Sequence, residues 1–157
     1  MARPKKEKAI KKIKHGVAEN APESRGAEYQ IYPPNLKEPY RTRRYELGEE
    51  LYSLVGVPRE DKGARLKWYS RNYDFFGAPV CMFFTIDKDM QQGQWADVGM
   101  FMQSIMLLAR EKGLHSAPQE SWAEWTPLIK RILQIPENEM FFCGLSIGYE
   151  DQNHPMS

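Results

Sequence analysis

The chain has 157 residues, of which 41% are hydrophobic, and this is enough for one domain with a packed core. Its 22 basic and 21 acidic residues leave a net charge of +1, which excludes a global field that attracts nucleic acid or membrane. The two cysteines, Cys81 and Cys143, lie in separate apolar runs without CxxC spacing, so they predict reduced, buried thiols of a cytosolic protein and no metal site.

The N-terminal segment is basic and has the spacing of a helix. Residues 1–14 carry seven Lys or Arg and one Glu. Ile10, Ile13 and Val17 recur at helical spacing, which predicts a helix over 5–19 with a narrow apolar stripe. A lysine cluster without interleaved aromatic residues is typical of a solvated face, so no nucleic-acid partner is expected.

The chain is interpreted as two parts, a basic helix with its linker over 1–30 and the main domain over 31–157. No apolar core follows the basic start, so it does not resemble a secretory signal. The longest uncharged apolar window, 98–109, is too short to span a bilayer. We therefore expect a soluble protein of the cytoplasm with no membrane partner.

From residue 28 onward, the sequence predicts an extended segment and then two helices. Residues 28–40, called the strap below, contain three prolines and cannot form a regular helix. Next, the spacing predicts a helix over 43–56 that ends at Gly56, and a second helix that begins at Pro58. The apolar face of the first helix consists of Tyr45, Leu47, Leu51, Leu54 and Val55.

The second half of the domain predicts two buried strands separated by two helices. The strands are the apolar runs 78–87 and 139–149. Between them, 94–112 is a helix that is apolar nearly all round, which predicts burial on every side with a second subunit supplying one wall. A polar turn at 116–122 and an amphipathic helix with Pro127 in its first turn follow.

The chain contains none of the common motifs for nucleophilic catalysis, zinc binding or phosphate-binding loops. His15 and His154 are expected to be solvated, and His115 follows a helix end, where a cation is favoured by the dipole. A flavin bound by backbone amides leaves no such motif, because the cofactor performs the chemistry. The residues alone therefore leave open a flavin site or a plain helix connection at 116–122.

Four blocks of the sequence, in order, resemble the FMN-dependent nitroreductase family. They read "YPPNLKEPYRTRRYELGEELYSLVGVPREDK", "RNYDFFGAPVCMFFTID", "GQWADVGMFMQSIMLLAREKGLHSAPQESWAEW" and "EMFFCGLSIGYEDQNHP". The resemblance implies an α+β homodimer with FMN at the subunit interface, in which helix 95–112 is the buried central interface helix. It also implies an oxidoreductase that takes electrons from NAD(P)H and passes them to a nitroaromatic, a quinone or a related small-molecule acceptor.

The resemblance also assigns a flavin-binding loop and no catalytic side chain. The loop, whose backbone meets the flavin ring near N5 and O4, consists of Pro118, Gln119, Glu120 and Ser121. Family members often have glycine where this chain has Ser121. The same resemblance implies a place near the mouth of the active site for Phe75 and Phe76, whereas their position before a strand predicts packing in the core.

The two ends of the chain differ from the family pattern. Family members begin with an Arg/Ser-rich segment and a "PSxxNxQPW"-like segment that hold FMN, and residues 1–20 resemble neither. The basic phosphate contact expected after "NHP" is also missing. We therefore expect a partial nitroreductase domain, with two alternatives left open: a dimerisation or interaction fragment that no longer binds flavin, and a small binding protein with a basic arm.

Overall fold

The structure is a computed structural model and describes residues 3–154, with side chains described over 8–154. Its helices in the described range are α1 Arg3–Glu19, α2 Tyr40–Leu54, α3 Lys62–Tyr69, α4 Gln92–Glu111 and α5 Thr126–Leu133. The strands there are β1 Val80–Asp87, β2 His115–Gln119 and β3 Glu139–Gly148. Short 3-10 helices occupy Pro22–Ser24, Ser70–Gly77 and Glu120–Glu124. This arrangement confirms the predicted α+β class.

The three strands form an antiparallel sheet in the order β1-β3-β2, so β3 is central. Phe84 pairs with Cys143 and Thr85 pairs with Phe141, which leaves Phe142 as an extra, unpaired residue on β3. Such a bulge breaks the alternation of a strand and re-aims the neighbouring side chains. As a result, Phe142 and Cys143 pack in the same apolar cluster although they are consecutive.

The main core lies where α1 and α5 pack near the 3-10 segments and β3. Ile13 of α1 is 1% exposed, which confirms that the stripe on the predicted N-terminal helix faces inward. A Cβ at Gly16 would approach Leu128 Cδ1 to 2.6 Å, so glycine is what lets α1 come close to α5. The other core members are aromatic or apolar: Phe75, Trp122, Ala123, Trp125, Ile129 and Phe141.

The second cluster joins α4 to β1 and β3 through Phe84, Met102, Cys143 and Leu145. Within α4 only Met102 and Ala109 are buried by this chain. Trp95, Val98, Ile105 and Met106 are half-buried, and four further large apolar residues of α4 are 60–62% exposed, namely Met100, Phe101, Leu107 and Leu108. Helix α2 contains no buried residue, and of the apolar face predicted for it Tyr45, Leu47 and Leu54 are exposed while Leu51 and Val55 are half-buried.

The polar turn predicted over 116–122 is wrong, because this segment begins as strand β2 and continues as a 3-10 helix. Pro118 lies opposite Leu145 in the β2–β3 pair. Proline is tolerated in a sheet at an edge strand, where its missing N–H breaks no ladder, and β2 is the last strand of the described sheet. The short, polar sequence of β2 has no apolar alternation that would have predicted a strand.

Two smaller predictions also need correction. The second helix begins at Lys62 rather than at Pro58, because the Asp61 carboxylate accepts a hydrogen bond from the Ala64 N–H at 2.8 Å and caps the helix there. Of the two interpretations of Phe75, core packing is the one observed, since its ring stacks on Trp122 with centroids 4.7 Å apart.

Candidate functional site

A cleft of about 990 Å³ opens between α4, the strap and the end of β2. Its lining includes all four residues that the family resemblance assigns to a flavin loop: Pro118, Gln119, Glu120 and Ser121. Much of the remaining lining is apolar or aromatic and comes from three separate elements: Ile31, Tyr32, Pro33, Pro34, Met102, Met106 and Phe142. The cleft therefore combines a polar edge with apolar walls.

Gln119 fixes the end of β2 from inside the protein. Its side chain is buried, with the amide nitrogen donating to the Asn72 carbonyl oxygen at 2.8 Å. The amide oxygen accepts a hydrogen bond from the Ser146 hydroxyl. Because both ends of the amide are already paired, the side chain positions the 118–121 segment and is not a free ligand-binding group.

The Ser121 hydroxyl, unlike the Gln119 amide, is not paired within the described part of the protein. Its hydroxyl oxygen is buried and has no hydrogen-bond partner among the described residues. A buried polar atom left unpaired costs about 1–3 kcal/mol, so native proteins rarely keep one without a reason. Ser121 is a lining residue of the cleft, although its hydroxyl oxygen itself is shielded from solvent.

Glu120 and Tyr29 form a titratable pair at the edge of the cleft. The Tyr29 hydroxyl donates to the Phe142 carbonyl oxygen at 2.7 Å and lies 3.5 Å from Glu120 Oε1. Desolvation raises the pKa of Glu120, and the Tyr29 hydroxyl opposes that shift. Burial also raises the pKa of Tyr29, with the Glu120 charge acting in the same direction. The bulge at Phe142 thus supplies the carbonyl that anchors this pair.

Cys143 and His115 do not provide a nucleophile for the cleft. Burial raises the pKa of the Cys143 thiol to about 11, so the sulfur stays protonated at neutral pH and contributes an apolar wall. His115 contacts Arg110, and its Nδ1 accepts a hydrogen bond from the Glu150 N–H at 3.1 Å. It does not line the cleft.

Arg44 and Tyr32 contribute the cationic corner of the cleft. The guanidinium carbon of Arg44 lies 3.8 Å from the centroid of the Tyr32 ring. Arg44 is the one basic residue on the described lining. The strap that carries Tyr32 was recognisable in the sequence from its prolines. No sequence pattern distinguished Arg44 on α2.

Across the described residues, no group of three or more His, Cys, Asp or Glu residues is placed to hold a metal ion. No helix in the same range has the length and apolar character needed to cross a membrane.

Comparison with known proteins gives a family match over most of the chain. The model of the nitroreductase family matches residues 6–149. A 4-nitrobenzoate reductase of Pseudomonas putida is 38% identical over 138 residues, which are 88% of this chain and 60% of that protein. A nitrobenzene nitroreductase of Ectopseudomonas oleovorans is 35% identical over 135 residues, which are 86% of this chain and 60% of that protein.

A solved structure shows the same fold. The FMN and NADPH-dependent nitroreductase NfnB of Sphigopyxis sp. strain HMH superposes with a TM-score of 0.88 at 38% identity, covering 94% of this chain and 66% of that one. The chain spans about 60% of the length of the curated relatives it matches.

Proposed function

The chain belongs to the nitroreductase family, and we propose from this premise that it acts as an FMN-dependent oxidoreductase. The reaction would take electrons from NAD(P)H and pass them to a nitroaromatic or quinone-like acceptor. The observation that carries the proposal is the cleft, in which residues 118–121 form one polar edge between apolar walls.

The residues present fit the flavin ring of FMN. The isoalloxazine system is flat and apolar on its faces and carries hydrogen-bonding atoms along its edge. The apolar side chains of Met102, Met106 and Phe142 suit the faces, and the polar edge formed by residues 118–121 suits the hydrogen-bonding atoms of the ring. When bound, FMN supplies the two-electron chemistry that none of these side chains can perform.

The residues of the chain then have positioning and protonation roles. Gln119, tied to Asn72 and Ser146, holds the 118–121 segment rigid. Glu120 lies at the edge of the cleft with a raised pKa, so it retains a proton to a higher pH than an ordinary glutamate. Cys143 stays neutral and helps keep the wall apolar.

A second copy of the chain is the partner that the proposal requires. The outward face of α4 exposes Met100, Phe101, Leu107 and Leu108, which together form an apolar surface unusual for a protein that remains alone. We propose that a homodimer covers this face, as the family resemblance implies for the central helix.

An assay of acceptor-dependent NADPH oxidation tests the proposed function. The purified chain is incubated with FMN, NADPH and either 4-nitrobenzoate or a quinone, under anaerobic conditions, and the loss of NADPH absorbance is followed. We expect oxidation that requires both the chain and FMN above the background of free FMN. A correctly folded chain that retains no flavin and adds nothing to that background would contradict the proposal and favour the interaction-fragment alternative.

A further inference from the structure

Among the described residues, Arg44 lacks the acidic partner that Arg41 and Arg65 have on the same face of the fold. Arg41 forms an ion pair with Glu38 at 2.6 Å, and Arg65 forms one with Glu49 at 3.0 Å. Within the described part of the chain, the Arg44 guanidinium lies against the ring of Tyr32 and forms no ion pair. The charge of Arg44 is therefore available to a ligand.

The stacking on Tyr32 also orients the free charge. A guanidinium that lies over an aromatic ring uses its flat face, and this leaves the N–H donors in its plane unoccupied. These donors form a rigid fork that matches the two oxygens of a carboxylate. Contact with Tyr32 thus holds the side chain without consuming the groups that recognise an anion.

The acidic residues on the same lining are less available than Arg44. Glu124 accepts a hydrogen bond from the Tyr73 hydroxyl at 3.1 Å. Glu120 lies beside the Tyr29 hydroxyl at 3.5 Å and has a raised pKa. The cationic fork is consequently the charged group with the most unused hydrogen-bonding capacity on the lining.

We propose that Arg44, held by Tyr32, receives the carboxylate of the electron acceptor, so that the preferred acceptors are nitroaromatic acids. The inference rests on the proposed function and names its substrate class. The relatives reported above act on both kinds of nitroarene by name, one charged and one neutral. Arg44 is the residue in this chain that selects the charged kind.

Kinetics with a matched pair of acceptors test the inference. The ratio of kcat/KM for 4-nitrobenzoate to that for 4-nitrobenzamide is measured, because the two molecules have similar size and differ in charge. In Arg44→Gln this ratio should fall about tenfold or more, the order expected for a lost charge-assisted, bidentate contact. In Arg44→Lys the ratio should fall less, since lysine keeps the positive charge but lacks the fork of N–H donors.

Arg43→Gln is the matched control, because Arg43 lies on the same helix, is exposed, and does not line the cleft. It removes the same charge and should leave the ratio unchanged. Equal losses for both acceptors in Arg44→Gln, or the same fall of the ratio in both glutamine variants, would overturn the inference. A loss confined to kcat/KM for NADPH would overturn it too, because Arg44 would then recognise the nicotinamide cofactor.

Equilibrium binding separates failure of the inference from failure of the proposed function. Calorimetric titration of each protein with benzoate and with benzamide requires no turnover. Benzoate should bind the unaltered chain more tightly, and Arg44→Gln should weaken benzoate binding about tenfold while benzamide is unaffected. If neither acceptor is reduced, the proposed function fails, and the titration still decides the role of Arg44. Equal affinity for both ligands in the unaltered chain would overturn the inference.

Discussion

Two regions of the molecule differ in how well they cover their own apolar surface. In the closed region, α1 and α5 pack with β3 so that Leu128, Ile129 and Phe141 are at most 1% exposed. In the open region, formed by α2, α3 and the outward face of α4, neither α2 nor α3 has a buried residue. The closed region completes its core within one chain, whereas the open region leaves apolar surface that this chain does not cover. The cleft is lined from both regions.

Leu128→Ala should cause the largest loss of stability, because it removes a side chain that contacts α1 at the centre of the closed region. We expect the free energy of unfolding to fall by about 2–5 kcal/mol, the usual cost of a buried Leu→Ala change. Urea denaturation followed by circular dichroism measures it. The same deletion at Leu108, which is 61% exposed, should change the stability of the monomer by less than about 0.5 kcal/mol. Similar losses at both sites would contradict the comparison.

Leu108→Ala should instead weaken self-association. If a second copy covers α4, each copy buries one Leu108 side chain, and burial of a leucine contributes about 1.5–3 kcal/mol. The dissociation constant of the dimer should therefore rise at least tenfold, on the order implied by that contribution. Sedimentation velocity over a concentration series measures it, with Leu108→Met as the volume-conserving control. A wild-type chain that stays monomeric at every concentration would refute the dimer.

Glu28→Gln tests the hydrogen bonds that hold the start of the strap against the closed region. Glu28 accepts hydrogen bonds from Lys130 at 3.1 Å and from the Phe141 N–H at 3.1 Å. Burial opposes ionisation of Glu28, but these donors and Lys88 outweigh it and hold its pKa below the ordinary 4.5. Lys130 is only 9% exposed, so the variant leaves a buried charge without its carboxylate partner. We expect the free energy of unfolding to fall by about 1–3 kcal/mol at neutral pH.

The pH dependence of that loss follows from the direction of the shift. A carboxylate with a lowered pKa stabilises the fold above its ordinary value of 4.5 and loses this contribution as the pH falls below it. The difference in unfolding free energy between the unaltered chain and Glu28→Gln should therefore shrink between neutral pH and pH values below 4.5. A difference that is constant over this range would show that the ionised form is not what stabilises the linker.

Ser121→Ala should have a small effect on stability, and its sign should be opposite to that of Leu128→Ala and Glu28→Gln. Removing an unpaired buried hydroxyl relieves its desolvation cost, so the flavin-free chain should become more stable by about 1 kcal/mol. Thermal unfolding without FMN measures the gain, and Ser104→Ala, at an exposed position on α4, is the control. A loss of stability at Ser121 would mean that the hydroxyl has a protein partner.

The sequence predicts the elements of the closed region better than their surroundings. Continuous apolar runs predicted β1 and β3, and the spacing of Ile10, Ile13 and Val17 predicted α1. These patterns arise from burial within one chain, which the sequence records directly. By contrast, the apolar circumference of α4 predicted burial that this chain supplies only at Met102 and Ala109. Periodicity reports that a surface is apolar, but it does not say which molecule covers it.

The cleft was located from the family resemblance and not from local pattern. β2 was missed because His115–Gln119 is short and polar, and its strand conformation depends on pairing with β3. Arg44 was missed because its significance comes from distant neighbours that meet only in the folded chain. The pairing of Gln119 with Ser146 is likewise a long-range contact with no sequence pattern of its own.

The central claim, that the cleft binds FMN, is tested most directly by an equilibrium FMN titration. Flavin fluorescence is followed for the unaltered chain, Gly99→Leu and Gly93→Leu. A Cβ at either glycine of α4 meets no atom within 4 Å, so both variants should fold, but only Gly99 lines the cleft. The account predicts saturable quenching for the unaltered chain and Gly93→Leu, and loss of binding in Gly99→Leu with unchanged helix content. No saturable quenching in the unaltered chain, or equal affinity in all three, would contradict it.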